Sequence, residues 1–154
     1  MADQISNGSP AAEDKRAAIV KAALETWKAA AGKGYLYGGK TTAGFDCSGF
    51  VSYVYQQVLP QFSYLDTSHI ENGPLFIETK NPQPGDVIFF SAGQNPYEVK
   101  RKNKRAYPAH VGIVLDSNTW IGSQSSTGVS KVSMDNSWWT ARTFKFLRYS
   151  GISP

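Results

Sequence analysis

The sequence predicts an α+β domain whose helices come first and whose strands form an antiparallel sheet. Apolar residues recur at helical spacing in the first third of the chain, whereas from Asp86 onward short runs of Val, Ile and aromatic residues lie between turn formers. Helices followed by strands favour an antiparallel sheet. The 154 residues suffice for one domain. We expect residues 1–9 to be a disordered lead and residues 10–154 to form that domain.

Two helices are predicted in the N-terminal part. Ser9 and Pro10 are typical of an N-cap followed by proline at the first helical position, and the apolar stripe after them ends at Gly32. A glycine-rich loop comes next. A second apolar stripe starts directly after Cys47 and ends near Leu59, so the second helix begins at or beside the cysteine.

The C-terminal half carries the β pattern. Residues 61–84 contain several turn formers and little periodicity, which predicts irregular surface with at most one short helical turn. Five strands are then predicted, over residues 87–90, 111–115, 120–124, 129–134 and 143–149.

Net charge and composition limit the classes of partner that the protein can bind. The formal net charge of +4 favours anionic surfaces, which include nucleic acid, acidic lipid and other acidic polymers. The dense basic run over residues 100–105 lies in a predicted loop and matches no nucleic-acid-binding motif, so we expect no nucleic acid partner. No apolar stretch is long enough for insertion into a membrane. The single cysteine excludes an internal disulfide and a thiolate metal cluster.

Cys47 is the candidate nucleophile. A lone cysteine is more often an inert core residue than a catalyst. Cys47, however, lies where a helix is predicted to start, and Asp46 suits the capping of that helix. Backbone N–H groups and the helix dipole favour an anion there, and a nearby imidazolium would add to the effect. We therefore expect a thiolate with a lowered pKa.

Two histidines are available as the base. His69 lies in a polar, irregular stretch, whereas His110 directly precedes an apolar strand that would hold its ring rigidly near the sulfur. We expect His110 to be the base. The alternative is a strand-end histidine with a purely structural role.

Four motifs occur in a fixed order along the chain. They are Tyr35-Leu36-Tyr37-Gly38-Gly39, Asp46-Cys47-Ser48-Gly49-Phe50-Val51, Pro84-Gly85-Asp86-Val87 and His110-Val111-Gly112-Ile113-Val114. In this order they resemble the NlpC/p60 cell-wall peptidases, which are papain-like cysteine endopeptidases of bacteria and phages. The resemblance covers roughly residues 35–149. It implies a papain-like fold, in which the second helix carries the nucleophile and packs on the sheet that carries the base.

The resemblance also implies a reaction and a set of site residues. The reaction is hydrolysis of amide bonds in peptidoglycan stem peptides, commonly between D-glutamate and the following diamino acid, without a metal or an organic cofactor. Cys47 would be the nucleophile and His110 the base. Tyr35 matches a tyrosine beside the thiol whose hydroxyl can help to polarise the substrate carbonyl. Asp46 and Ser48 match positions that in many members receive the free amine of L-alanine. A core role for Tyr35 and a plain helix-cap role for Asp46 are the alternatives.

The third catalytic position departs from the family pattern. That position usually holds histidine, and otherwise often Asn, Gln or Asp, but here it falls on Gly122. Gln124 lies two residues further on the same face of the strand, and its side-chain oxygen is suited to accept the ring N–H of His110. Asp135, Ser123 and a backbone carbonyl are the alternatives.

A wall substrate raises the question of delivery. Met1–Pro10 lacks the pattern of a signal peptide, so we expect synthesis in the cytoplasm and action in the periplasm or cell wall after delivery. The protein would be an injected antibacterial effector, such as a type VI secretion amidase, or a phage lytic enzyme. A trimmed signal peptide is a third alternative. An injected effector would have a secretion-machine carrier and an immunity protein as partners.

Two other classes of function stay open. Lipid or protein acyltransferases belong to the same superfamily, but their motifs usually run in the order histidine then cysteine. Gly122 at the third position motivates a catalytically silent wall-binding module. The basic segment Asn95–Pro108 is expected either to wall the substrate groove or to bind a partner.

Overall fold

The helices form one layer of the fold. The computed structural model describes residues 10–100, 102 and 105–152, so the expected disordered lead lies outside the described residues. The helices are α1 Pro10–Ala29, α2 Cys47–Val58, α3 Thr67–Asn72, α4 Pro96–Val99 and α5 Ser137–Thr140. The first two agree with the predicted pair. Across the described ranges, no helix combines the length and the apolar character that a membrane span needs.

A six-stranded antiparallel sheet forms the other layer. The strands of the structure are β1 Lys40–Thr41, β2 Gly44–Phe45, β3 Phe76–Thr79, β4 Val87–Phe90, β5 Gly93–Gln94, β6 Ala106–Tyr107, β7 His110–Val114, β8 Thr119–Gln124, β9 Gly128–Ser133 and β10 Phe144–Tyr149. The large sheet has the order β3-β10-β4-β7-β8-β9, and all of its pairs are antiparallel. The predicted α+β class is thereby confirmed.

Apolar residues cover both faces of the sheet. On one face, α2 packs across β7 and β8, and Val54 joins Val111 and Ile121 in the main core. On the other face, Phe90 and Trp120 form a second cluster with Ile88 and Val114. Because successive strand residues point to opposite faces, the alternation along β7 and β8 assigns each side chain to one of these cores.

An ionic cluster around Asp86 ties α1 to the sheet. Asp86 is fully buried, and its carboxylate accepts hydrogen bonds from Arg16 at 2.9 Å and from Arg148 at 2.8 Å. The backbone N–H of Gln83 donates to the same carboxylate at 2.8 Å. Asp86 belongs to the third sequence motif, whose pattern does not predict this role. The cluster fixes the turn from which β4 starts.

Two stretches that were expected to be irregular contain strands. The glycine-rich loop folds into a small hairpin in which Lys40 pairs with Phe45. Residues 76–79 form β3, an edge strand that pairs with β10. Within β3 only Phe76 is buried, so the segment has no alternating pattern, and its conformation depends on pairing with a strand almost 70 residues later.

Candidate active site

The start of α2 is held by side-chain and loop contacts. Asp46 is the N-cap, and its carboxylate accepts from the backbone N–H of Gly49 at 2.7 Å and of Gly38 at 3.1 Å. A Cβ atom at Gly49 would collide with the backbone carbonyl of Gly39, so the loop can approach the helix only because residue 49 is glycine. These contacts fix the backbone of Cys47, the first residue of the helix.

The expected thiolate of Cys47 is wrong for the resting protein. Cys47 is 7% exposed, and burial raises the pKa of its thiol to about 11. The backbone N–H groups of Val111, Ser48 and Cys47 act in the opposite direction, as anticipated at a helix start, but burial outweighs them. At neutral pH the sulfur is therefore a neutral thiol.

His110 begins β7 and lines the same cavity as Cys47. Its ring packs against Trp139, with the ring centroids 4.8 Å apart, and it also contacts Phe90 and Trp120. Burial lowers the pKa of His110 from 6.5 to about 4. The imidazole is therefore neutral at pH 7 and able to accept a proton.

His69 lies elsewhere. It belongs to α3, its side chain is 70% exposed, and its ring pairs with Asp66 at 2.7 Å. His69 is not among the residues that line the cavity of Cys47. The structure thus brings His110, and not His69, to the thiol's cavity.

Gln124 sets the tautomer of His110. Its Oε1 atom lies 3.0 Å from His110 Nε2. The amide nitrogen of Gln124 donates to Ser130, at 2.8 Å to the hydroxyl and 3.2 Å to the carbonyl, so the oxygen faces the imidazole. Since a carbonyl oxygen can only accept, Nε2 carries the ring proton. Nδ1 then holds the free lone pair, as a base requires.

Thr127 gives the same hydrogen-bond chain a fixed direction. Its hydroxyl donates to the carbonyl of Gly128 at 3.0 Å and lies 2.8 Å from the hydroxyl of Ser130. Because the Thr127 proton is committed to Gly128, Ser130 donates to Thr127 and accepts from Gln124. These hydrogen bonds therefore fix the orientation of the Gln124 amide.

Gly122 provides the space that Gln124 occupies. A Cβ atom at residue 122 would lie 2.7 Å from Gln124 Oε1 and 3.2 Å from a ring carbon of Trp120. Any side chain at this position would push the Gln124 amide away from His110. The departure from the family pattern at residue 122 is thus linked to the presence of glutamine at residue 124.

The two side-chain alternatives to Gln124 are engaged or located elsewhere. The hydroxyl of Ser123 donates to the carbonyl of Phe45 at 2.8 Å, on the opposite face of β8. Asp135 is exposed after β9 and does not line the cavity.

Tyr35 lines the cavity, whereas Asp46 and Ser48 lie outside its lining. Burial, with smaller contributions from Cys47 and Asp46, raises the pKa of Tyr35 to about 12, so its hydroxyl keeps its proton. Ser48 Oγ lies 3.2 Å from the hydroxyl of Tyr64 and 3.4 Å from Asp46. These groups form a polar cluster on the helix side of the site.

The opposite wall of the cavity consists of residues that sequence analysis did not assign. The cavity has a volume of about 340 Å³, and Tyr107, Trp138, Trp139 and Arg142 line it. Glu98 fastens this wall, because it accepts from the Tyr107 hydroxyl at 2.7 Å and from Trp138 Nε1 at 2.6 Å. The adjacent tryptophans were the available signal, since a pair of large aromatics in a polar stretch suits a binding cleft.

The basic segment Asn95–Pro108 contributes to the same wall. Its residues 105, 107 and 108 line the cavity, which agrees with the expected groove wall. Asn95 is buried and donates to the backbone carbonyl of Trp138 at 2.6 Å, so the segment is anchored to α5.

A thiol at a helix start, an imidazole on the packed sheet and an amide that holds this imidazole are the arrangement of side chains found in papain-like cysteine hydrolases. Residues 32–148 match the model of the NlpC/P60 family. The chain belongs to this family.

Similar proteins include cell-wall enzymes. The chain is 35% identical over 115 residues to the probable peptidoglycan endopeptidase LytE of Bacillus subtilis. The aligned region covers 75% of this chain and 30% of LytE. It is 31% identical over 116 residues to the probable endopeptidase NlpC of Escherichia coli, covering 75% of this chain and 67% of that protein. The crystal structure of the NlpC/p60 domain of the peptidoglycan hydrolase SagA aligns with a TM-score of 0.58 and 29% identity, covering 84% of this chain and 96% of that one.

Proposed function

We propose that this protein hydrolyses amide bonds in the peptide stems of peptidoglycan, with D-glutamate on the acyl side and a diamino acid on the amine side. Cys47 is the nucleophile, His110 the base and Gln124 the residue that positions His110. The observation that carries the proposal is the 3.0 Å contact between His110 Nε2 and Gln124 Oε1 in the cavity that holds the Cys47 thiol. The family membership and the cell-wall relatives support the substrate class.

The protonation states of Cys47 and His110 in the resting site determine the first step of the reaction. Thiol and imidazole are both neutral, because burial raises the pKa of Cys47 to about 11 and lowers that of His110 to about 4. The thiol proton therefore passes to His110 Nδ1 as the sulfur bonds to the substrate carbonyl carbon. Backbone N–H groups at the start of α2 hold the resulting oxyanion.

The second half of the reaction returns the enzyme to its starting state. His110 gives its proton to the leaving nitrogen as the carbon–nitrogen bond breaks, and the amine departs. Water then loses a proton to His110 and attacks the thioester. The carboxylic acid leaves, and the sulfur recovers its proton from His110.

Product analysis tests the proposal. Purified protein is incubated with soluble peptidoglycan fragments, and the products are identified by mass spectrometry, with Cys47→Ala as the control. The expected products are a fragment ending in D-glutamate and a fragment with a new amine on the diamino acid. Acyl transfer to an added amine or alcohol without net hydrolysis would favour the acyltransferase alternative. Binding without products would favour the silent module.

Asp46 and Ser48 are proposed to bind the free amine of the stem's L-alanine, and the hydroxyl of Tyr35 to help polarise the substrate carbonyl. Asp46 supplies the negative charge for this role, and the hydroxyls of Ser48 and Tyr64 lie next to it. Stems with a free L-alanine amine should then be cut faster than stems still attached to muramic acid. Equal rates on the two substrates would contradict the amine pocket and leave Asp46 as a helix cap.

The proposed substrate lies outside the inner membrane, so we propose that the protein acts there after delivery, as an injected effector or a phage enzyme. Cytosolic expression should be harmless, whereas fusion to a secretory signal should cause lysis. Lysis should disappear with Cys47→Ala. Equal killing by the unexported wild-type protein would exclude a wall substrate and would favour lipid or protein acyl transfer.

A further inference from the structure

Arg142 is a buried cation in the catalytic cavity. It follows α5, it is 5% exposed, and it lines the same cavity as Cys47 and His110. Its Nη2 atom donates to the backbone carbonyls of Ser91 at 3.0 Å and Pro108 at 2.9 Å. Both bonds use Nη2, so they do not commit the Nε and Nη1 donors of the same guanidinium.

No carboxylate compensates this charge within the part of the chain that the structure describes. The surroundings of Arg142 are aromatic instead, with the guanidinium carbon 5.4 Å from the ring centre of Trp139 and 5.7 Å from that of Tyr107. Burial lowers the pKa of Arg142, which reflects the cost of keeping the charge away from water. The contrast is Arg16, equally buried, which pairs with Asp86 at 2.9 Å.

The position of Arg142 relative to His110 indicates which part of a substrate it meets. Trp139 packs against both, with its ring centre 4.8 Å from that of His110 and 5.4 Å from the guanidinium carbon of Arg142. In the proposed reaction His110 protonates the leaving amine, so the amine side of the substrate extends past His110. Asp46 and Ser48, the proposed site for the acyl-side amine, lie outside this wall.

We propose that Arg142 is a specificity-determining residue that binds a free carboxylate on the residue whose amine is released. This inference rests on the proposed function and names the substrate class within it: stems whose diamino acid bears a side-chain carboxylate, as diaminopimelate does and lysine does not. A planar guanidinium that is buried between aromatic rings suits bidentate binding of a carboxylate. The aromatic walls exclude water and strengthen that contact.

The test compares three stem peptides that differ in the group on the diamino acid: the free side-chain carboxylate, its carboxamide, and lysine. With the wild-type protein, kcat/KM should be about ten- to a hundredfold higher for the carboxylate than for the other two. In Arg142→Met this ratio should fall to near one. Arg142→Lys keeps the charge without the planar fork, so it should retain part of the preference.

Arg105→Met is the matched control. Arg105 lines the same cavity but is exposed, and water and salt screen its charge. Its substitution should leave the ratio within about threefold of the wild-type value. Thermal melts of each variant show whether it is folded. The comparison of the three stem peptides with the wild-type protein does not depend on the folding of any variant.

Three outcomes would overturn the inference. Equal wild-type rates on the carboxylate and carboxamide stems would show that no carboxylate is recognised. An unchanged ratio in folded Arg142→Met would show that Arg142 only braces Ser91 and Pro108. Failure of the wild-type protein to cleave any of the three stems would remove the proposed function, and this inference with it.

Discussion

The Asp86 cluster and the proposed catalytic cavity are both buried polar assemblies, but they differ in how their charged groups are paired. In the cluster, one carboxylate pairs with two arginines and a backbone N–H group. In the cavity, a thiol, an imidazole and a guanidinium are buried without a carboxylate that lines the same space. The cluster is closed in the sense that its charges are paired, and it stabilises the fold. The cavity is open, because its guanidinium is left for a substrate. This division of roles predicts opposite effects of substitution in the two regions.

The largest effect should come from the cavity. Cys47→Ala and His110→Ala should each lower kcat/KM by more than about a thousandfold, because nucleophile and base act as a unit. Neither group supports the fold by pairing with a buried charge, so both variants should melt as cooperatively as the wild-type protein. Kinetics and calorimetry are the measurements. The matched control is His69→Ala, which should be almost silent; an inactive folded His69 variant beside an active His110 variant would reverse the assignment of the base.

The closed cluster should respond in the opposite way. Asp86→Asn leaves two arginines facing a neutral amide and should lower the free energy of unfolding by about 3–5 kcal/mol. The catalytic cavity does not include Asp86, so kcat of the remaining folded protein should stay within about threefold. Urea denaturation and kinetics at low temperature separate the two effects. A loss of kcat without a loss of stability would contradict the division.

Gln124 should affect turnover more than binding. Gln124→Ala should lower kcat by about ten- to a hundredfold with little change in KM, because the His110 tautomer and orientation are lost. Gln124→Glu keeps an acceptor oxygen and should recover part of the rate. Its negative charge should also raise the pKa of His110 and move the acid limb of the rate profile to higher pH. Unchanged kinetics in Gln124→Ala would remove this residue from the site.

The pH dependence should reveal the neutral resting pair. With the pKa of His110 lowered to about 4, kcat/KM should hold from neutral pH down to about pH 5 and then fall by about tenfold per pH unit below 4. The unfolded chain binds this proton near pH 6.5, so folding stability should fall as the pH drops from about 6.5 towards 4. An acid limb at 6.5 would contradict the burial of His110.

The smallest effect should come from the outer end of the hydrogen-bond chain. Ser130→Ala removes the hydroxyl that accepts from the Gln124 amide nitrogen at 2.8 Å and leaves the 3.2 Å bond to the Ser130 carbonyl, so kcat should fall by about two- to tenfold. Ser130→Thr keeps the hydroxyl and should restore most of the rate. If Ser130→Ala and Ser130→Thr are equally impaired, the contact with Gln124 does not matter for catalysis.

Sequence patterns predicted those elements whose signal is local. The buried run Val87–Phe90 was placed without error, and Cys47 at the start of α2 followed from apolar spacing and a capping aspartate. Strand β3 was missed, because an edge strand with one buried residue depends on its distant partner. The pKa of Cys47 was predicted in the wrong direction, because the first residues of a helix show in sequence but the depth of burial does not.

The residues of the cavity wall could not be predicted from sequence patterns for the same reason. Arg142 and Trp139 are separated from His110 by about 30 residues in sequence and meet it only when β7 and the segment after β9 reach the same end of the sheet. Gln124 could be proposed because the family resemblance places the third position at residue 122 and the alternation of β8 puts residue 124 on the same face. The reason for glycine at residue 122 could not be predicted, because it is the space that the Gln124 side chain occupies in the folded protein.

The tight space at residue 122 also constrains how such a site can change during evolution. A histidine introduced there would meet Gln124 Oε1 at the 2.7 Å distance that a Cβ atom already reaches, whereas loss of Gln124 alone would leave the His110 ring unsupported. A side chain at residue 122 therefore requires the Gln124 amide to move, and the orientation of His110 then depends on both residues. A double-mutant cycle of Gly122→His and Gln124→Ala should accordingly show a non-additive effect on kcat.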